Sequence, residues 1–237
     1  MFKIHLINQV MKMKVYIYSL LFILSAGISG CKKDNYTAPK SLLTGRVVYE
    51  GQAIGVRSNG VQLELWQHGY DFFTKIPVYV AQDGSFSALL FDGDYKLTRL
   101  RGVGPWINNT DSIDVKVSGN TIIDVPVTPY TFVKTVSYQR TGTTVTATIN
   151  LQTVNTTNLP ESVKLYVFKT ALIDDANQNA VTTIAASAIP NINQPLTMNV
   201  VIPASLSNAD AVYVRVGVKI AGVGELAYSM PEKIQLK

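Results

Sequence analysis

Side chains able to do chemistry are scarce in this chain. Among its 237 residues stand one cysteine, Cys31, and two histidines, His5 and His68. A single cysteine excludes an intramolecular disulfide framework and a multi-cysteine metal site. His68 has Asp71 as its one nearby carboxylate in sequence, too little for zinc, triad or histidine acid–base chemistry. Asp92-Gly93-Asp94 and the Asp174-Asp175-Ala176-Asn177-Gln178-Asn179 run offer the oxygen ligands that calcium takes. Neither has EF-hand spacing, and both read as turns. No Gly-rich phosphate loop leads a strand into a helix, and no G-x-S-x-G elbow is present. The expectation is a chain with no catalytic residues, no metal and no cofactor, which holds a ligand or partner rather than transforming it.

The side chains suited to holding something are aromatic. Sugars lay their C–H faces on an aromatic ring while planar amides fix their hydroxyls. Trp106 stands in Gly102-Val103-Gly104-Pro105-Trp106-Ile107-Asn108-Asn109-Thr110, so Trp106, Asn108 and Asn109 form one candidate glycan contact. The competing reading folds Trp106 back over the end of its own domain. A second group is Trp66, Tyr70, Phe72 and Phe73, where Trp66 falls on the strand face opposite Leu63 and Leu65. That group is either a ligand platform or an interdomain contact. Asp111-Ser112-Ile113 matches a short O-glycosylation acceptor pattern, which makes Ser112 a modification candidate.

Elements that would carry these residues are β-strands throughout. Val61–Gln67 alternates, with Val61, Leu63 and Leu65 inward. Further strands are expected at 42–49, 76–81, 85–90, 95–101, 112–117 and 121–127, with turns at Asp83-Gly84, Asp92-Gly93 and Ser118-Gly119-Asn120. Pro126 and Pro129 mark a domain boundary, since proline cannot donate to a ladder. Eight more strands, from 131–140 to 233–236, suggest an immunoglobulin-like sandwich without its cysteine pair. The fold class is thus all-β, with two β-sandwich domains expected at 41–128 and 129–237.

The N-terminus reads as an export signal. Lys12 and Lys14 precede an apolar run, Val15 to Ile28, of the length of a secretory core rather than a spanning helix. Residues 1–30 hold three of the five excess positive charges, and the remainder is close to balanced. Such a balance does not attract nucleic acid. Ile28-Ser29-Gly30-Cys31 resembles a bacterial lipobox, which implies cleavage before Cys31 and acylation of its thiol. Residues 1–30 are then signal peptide and 31–40 a lipidated tether. Lys32-Lys33-Asp34 is similar to the surface-export signals of Bacteroidetes lipoproteins, which implies the outer face of the outer membrane.

Two broader resemblances follow. Leu43-Thr44-Gly45-Arg46-Val47, Asp83-Gly84-Ser85-Phe86 and Asp92-Gly93-Asp94-Tyr95 resemble the carboxypeptidase-regulatory, transthyretin-like sandwich. Each Asp-Gly permits a φ > 0 turn, and each aromatic after it is expected to be the first inward residue of the next strand. Cys31, Asp34-Asn35-Tyr36, Pro39, His68-Gly69-Tyr70 and Val127-Thr128-Pro129-Tyr130 add similarity to a two-domain lipoprotein family of Bacteroidetes carrying a domain-of-unknown-function label. Its members are often encoded beside SusC- and SusD-type glycan-uptake proteins. The resemblance implies an accessory role in polysaccharide utilisation by glycan binding, with SusC/SusD-type proteins as partners. It supplies no catalytic residues. The alternative is an adhesion or structural module whose aromatics serve a protein partner.

Overall fold

Alternation of buried and exposed residues draws the strands of the computed structural model, which describes residues 14, 37–69 and 74–237. Cys31, Tyr70 and the expected signal sequence lie outside the described residues. Among the described residues no helix is long and apolar enough to cross a membrane. The fold from residue 37 onward is all-β, interrupted by single 3₁₀ turns at Ala186–Ala188 and Ala204–Leu206.

The first sandwich is built from β1 (Ser41–Tyr49), β2 (Gln52–Ala53), β3 (Gln62–Trp66), β4 (Ile76–Tyr79), β5 (Ser85–Leu90), β6 (Gly93–Arg99), β7 (Ile113–Val117), β8 (Thr121–Ile122) and β9 (Val125–Pro126). β1 is central to one sheet, antiparallel to β5 and β2 and parallel to β8 and β9. The other sheet runs β4-β3-β6-β7. Leu43, Val47, Phe86 and Leu90 from the first meet Leu63, Leu65, Tyr95, Leu97, Val115 and Val117 from the second. Phe86 and Tyr95 are buried in this core as expected; Phe86 follows a turn at Asp83-Gly84, whereas the turn expected at Asp92-Gly93 is only a bend, with Gly93 nearly extended (φ 158°) as the first residue of β6.

Two local features depart from the sequence reading. β2 is an added strand. Glu50 (φ 49°) and Gly51 (φ 76°) both take left-handed conformations, the backbone of a two-residue hairpin turn that folds β2 onto β1. The run 121–127, expected as one strand, is two short ones separated at Ile123-Asp124. Its cause lies across the ladder at Gly45, where a Cβ would stand 1.8 Å from the Ile123 carbonyl oxygen. The glycine of the Thr44-Gly45 motif is therefore a close-approach site rather than a turn.

The second sandwich uses β10 (Thr131–Thr141), β11 (Thr144–Thr153), β12 (Pro160–Phe168), β13 (Ala180–Ala185), β14 (Leu196–Val201), β15 (Ala211–Ile220), β16 (Ala227–Tyr228) and β17 (Glu232–Gln235). Sheet β10-β11-β14 packs on β13-β12-β15-β16, with β17 also paired to β15. Val145, Ala147, Ile149 and Met198 face Val163, Leu165, Val212, Val214, Val216 and Val218.

The middle of β15, from Val214 to Val218, is buried on both faces, and Arg215 on its outer side meets the first sandwich. Arg215, 0% exposed, lies at that contact. Its Nη2 donates to the carbonyls of Val56 (3.0 Å) and Gln82 (2.7 Å), its Nη1 to Ile173 (2.9 Å) and its Nε to Ser229 (2.8 Å). The guanidinium lies 4.3 Å from the Tyr228 ring centroid, and burial draws its pKa down to about 10. Around it, the Tyr228 amide donates to the Gly55 carbonyl at 3.0 Å. Arg57 N–H donates to the buried Glu225 carboxylate at 2.8 Å, and Gln82 Nε2 donates to the Ala171 carbonyl at 2.8 Å. Burial raises the Glu225 pKa.

Candidate ligand-binding site

The outer face of the β3-β6-β7 sheet carries a cleft built around an aromatic ring. Trp66 closes β3 one residue after Leu65, so the strand alternation that buries Leu63 and Leu65 turns the indole outward. The ring is half-buried. Its Nε1–H donates to Thr98 Oγ1 at 3.2 Å on the neighbouring strand, which fixes the plane of the ring. Trp66, Gln67, His68, Asp94, Lys96, Asp114 and Lys116 line a cleft of about 610 Å³ around it. That volume lies within the range of small-ligand sites. Lys96 and Asp114 form an ion pair along its wall.

An aromatic face, an amide and flanking charges of both signs suit an amphiphilic, hydroxyl-rich ligand. The ring offers dispersion and C–H contact, while Gln67, Asp94 and Lys116 offer donors and acceptors. The described residues that line this cleft all belong to the first sandwich, and the contact between the sandwiches among the described residues lies elsewhere. That contact is made by Gly55, Val56 and Gln82 against Arg215 and Tyr228. His68 is exposed at the cleft rim, on the loop that follows β3.

Trp106 does not present its ring to a ligand. It is 4% exposed and packed in the first core, where Gly104 leaves space for it: a Cβ there would lie 2.2 Å from the indole. Its backbone bridges to Pro129, and Ile107 N–H donates to the Thr128 carbonyl at 2.9 Å. The Gly/Pro-rich loop thus folds back under the domain junction, which corrects the reading of Trp106 as a stacking platform.

Asn108 and Asn109 stay exposed and line a second cleft of about 660 Å³ with Arg99, Thr110, Asp111 and Thr128. Their carbonyl oxygens are used within the loop, Asn108 Oδ1 accepting from Gly102 N–H and Asn109 Oδ1 from Asp111 N–H. Arg99, 8% exposed, donates to the Pro126 and Asp111 carbonyls at 2.9 and 3.0 Å and so staples this loop to β9. Burial pulls its pKa down, with Asp111 acting the other way. This second cleft has amides and no exposed aromatic ring, so the sequence-predicted contact is split in two. Ser112 is exposed immediately before β7.

Neither acidic run forms a cation cage. Among the described residues no group of three or more His, Cys, Asp or Glu side chains is placed to hold a metal. Asp174, 4% exposed, accepts from the Ala176 and Asn177 amides of its own turn, and Asp175 from Lys164 and Tyr166. Asp92 accepts from Ser41 Oγ and the Gly119 amide.

Comparison with known proteins gives the lineage of this arrangement. The family model described as a protein of unknown function (DUF3823) N-terminal domain matches residues 41–128, and its C-terminal counterpart, a domain of unknown function, matches 131–233. A DUF3823 family protein from Bacteroides ovatus is similar at 40% identity, over 84% of this chain and 100% of its own, with a TM-score of 0.79. Another from Parabacteroides merdae shares 35% identity over the same proportions, with a TM-score of 0.77. A Bacteroides uniformis protein described as a "putative carbohydrate binding protein" shares the fold at 20% identity and a TM-score of 0.67, again over 84% of this chain and 100% of its own. No curated protein matches the chain. The chain belongs to the two-domain DUF3823 family.

Proposed function

We propose that this protein is a non-catalytic surface lipoprotein that captures polysaccharide at the Trp66 cleft. The observation that carries the reading is the half-buried indole, held by Thr98 and flanked by Gln67, Asp94 and Lys116 on the outer face of the β3-β6-β7 sheet. A sugar ring stacks on such a surface and exchanges its hydroxyl hydrogen bonds with the flanking polar groups. The carbohydrate-binding description of the Bacteroides uniformis protein points the same way. Cys31 provides the anchor: its acylation after signal cleavage holds the mature chain on the outer membrane, facing outward. There it serves as an accessory to SusC/SusD-type uptake proteins.

Calorimetric titration of the Cys31→Ala chain with a panel of bacterial and plant polysaccharides tests the reading. Trp66→Ala is expected to weaken the binding seen with wild-type Trp66 by about tenfold, roughly 1.4 kcal/mol. Binding unchanged by Trp66→Ala would move the site elsewhere. No binding to any polysaccharide, together with co-purification of a porin-type partner, would replace capture with an adhesion or assembly role.

A further inference from the structure

The outer face of the β1-β5-β8 sheet is apolar where a solvent-facing sheet would be polar. Leu42 (38% exposed) lies directly opposite Leu89 (58%), and Ile122 (80%) stands in the next cross-strand row beside Thr44. Phe91 (43%) continues the face beyond Leu89. Between these side chains lie only Thr44 and Ser87, and the Arg46–Asp124 ion pair closes the far end. A contiguous patch of this kind marks an interaction surface rather than ordinary surface scatter.

The covalent chain says what meets it. β1 begins at Ser41, so Leu42 is the second residue of the domain, and exposed Lys40 joins the face directly to the segment from Cys31. Nine residues of chain from Cys31 to Lys40 span at most about 30 Å. An anchor at Cys31 therefore keeps this face within reach of the bilayer. We infer that the Leu42-Leu89-Phe91-Ile122 face rests on the surface of the membrane in which Cys31 is anchored, its apolar side chains entering the headgroup–acyl boundary. Leucine, isoleucine and phenylalanine are the side chains that interfacial segments bury there, and Lys40 at the rim meets the phosphate of the headgroups. This inference rests on the anchor reading above and adds an orientation to it. The two sheets of the first sandwich pack face to face, so their outer faces point in opposite directions. With β1-β5-β8 on the bilayer, the Trp66 cleft on β3-β6-β7 points away from it.

The test uses the full lipidated chain in vesicles of phosphatidylethanolamine and phosphatidylglycerol. Acylation consumes the thiol of Cys31, so Ile122→Cys or Val201→Cys gives one site for an environment-sensitive fluorophore; Val201 is 61% exposed on β14 of the second sandwich. The label at 122 is expected to shift to the blue and to lose roughly half its emission to brominated acyl chains, while that at 201 does neither. Flotation with the vesicles but an unshifted label at 122 overturns the orientation alone. A shift at 122 that grows with protein density in the membrane, without quenching by brominated lipid, overturns it in favour of contact between copies. Failure to float overturns the anchor reading, and this inference with it.

Discussion

The guanidinium of Arg215 sits 4.3 Å from the centre of the Tyr228 ring and donates to carbonyls of both sandwiches. No carboxylate lies within ion-pair distance of it among the described residues; backbone dipoles and a π-face solvate the charge instead. Arg215→Met is expected to cost roughly 3–5 kcal/mol, because four hydrogen bonds to a charged donor are lost and buried acceptors are orphaned. Urea denaturation measures this. Arg215→Lys should recover only part of the loss, since an ammonium cannot span the fork of the guanidinium. A loss below about 1 kcal/mol for Arg215→Met would mean that water replaces the guanidinium and that the contact needs no cation.

Gly45 makes a sharp steric prediction. A Cβ there would lie 1.8 Å from the Ile123 oxygen, whereas at Gly224 it would meet nothing within 4 Å. Gly45→Ala should destabilise the fold by about 1–3 kcal/mol and Gly224→Ala by less than about 0.5 kcal/mol. Equal thermal midpoints for the two variants would contradict the close approach.

Trp106 and Trp66 should separate stability from binding. Truncating the buried Trp106 to alanine leaves a core cavity and is expected to cost about 3–5 kcal/mol. Trp66→Ala should cost clearly less stability and weaken glycan affinity by about tenfold. The reverse assignment, with Trp106→Ala folded normally but unable to bind, would return the site to the loop.

Acid should weaken the first sandwich through Asp92. Hydrogen bonds from Ser41 Oγ and the Gly119 amide hold its carboxyl below the usual aspartate range. The stability it contributes is complete above the unfolded value and is lost as pH falls through the lowered folded one. Asp92→Asn should therefore be less stable than wild type at neutral pH, with the gap closing below about pH 4. A gap that stays constant into strong acid would show that the carboxylate charge plays no part.

Membrane attachment has the simplest measurement. Cys31→Ala should move the protein from the membrane fraction to the soluble one, because Cys31 is the one cysteine among these 237 residues and its thiol is the proposed lipid attachment. Full retention of the variant in washed membranes would refute the lipid anchor.

Much of the strand plan was legible because burial alternates locally. Leu63 and Leu65 point inward, Trp66 outward, and Phe86 and Tyr95 are the first buried residues of their strands. Long-range placements were not legible. Gly102, Gly104 and Pro105 signal a loop, and a loop signal implies exposure; nothing local says that Pro129 will bridge to Trp106 and draw its ring inside. Arg215 was overlooked for a related reason. In Ala211-Val212-Tyr213-Val214-Arg215-Val216-Gly217-Val218 the arginine occupies an outward position and reads as an ordinary solvated charge. Only the Val56 and Gln82 carbonyls, more than a hundred residues earlier, convert that outward position into an interior one. The adjacent Gly217 was a usable clue: its missing side chain leaves room for Tyr166 and Tyr228, an arrangement a solvated strand would not need.

Arg215 also sets an order of assembly. The carbonyls of Val56 and Gln82 leave the ribosome well before the cation that bonds them, and the Ser229 carbonyl that completes its coordination comes later still. Domains fold N-terminal first during synthesis. The first sandwich can therefore fold before Arg215 reaches it, with the Val56 and Gln82 carbonyls left to water until the second sandwich docks. A truncation that removes Ser229 and the strand after it would take away one of the four acceptors of Arg215 and so loosen the docking of the two sandwiches.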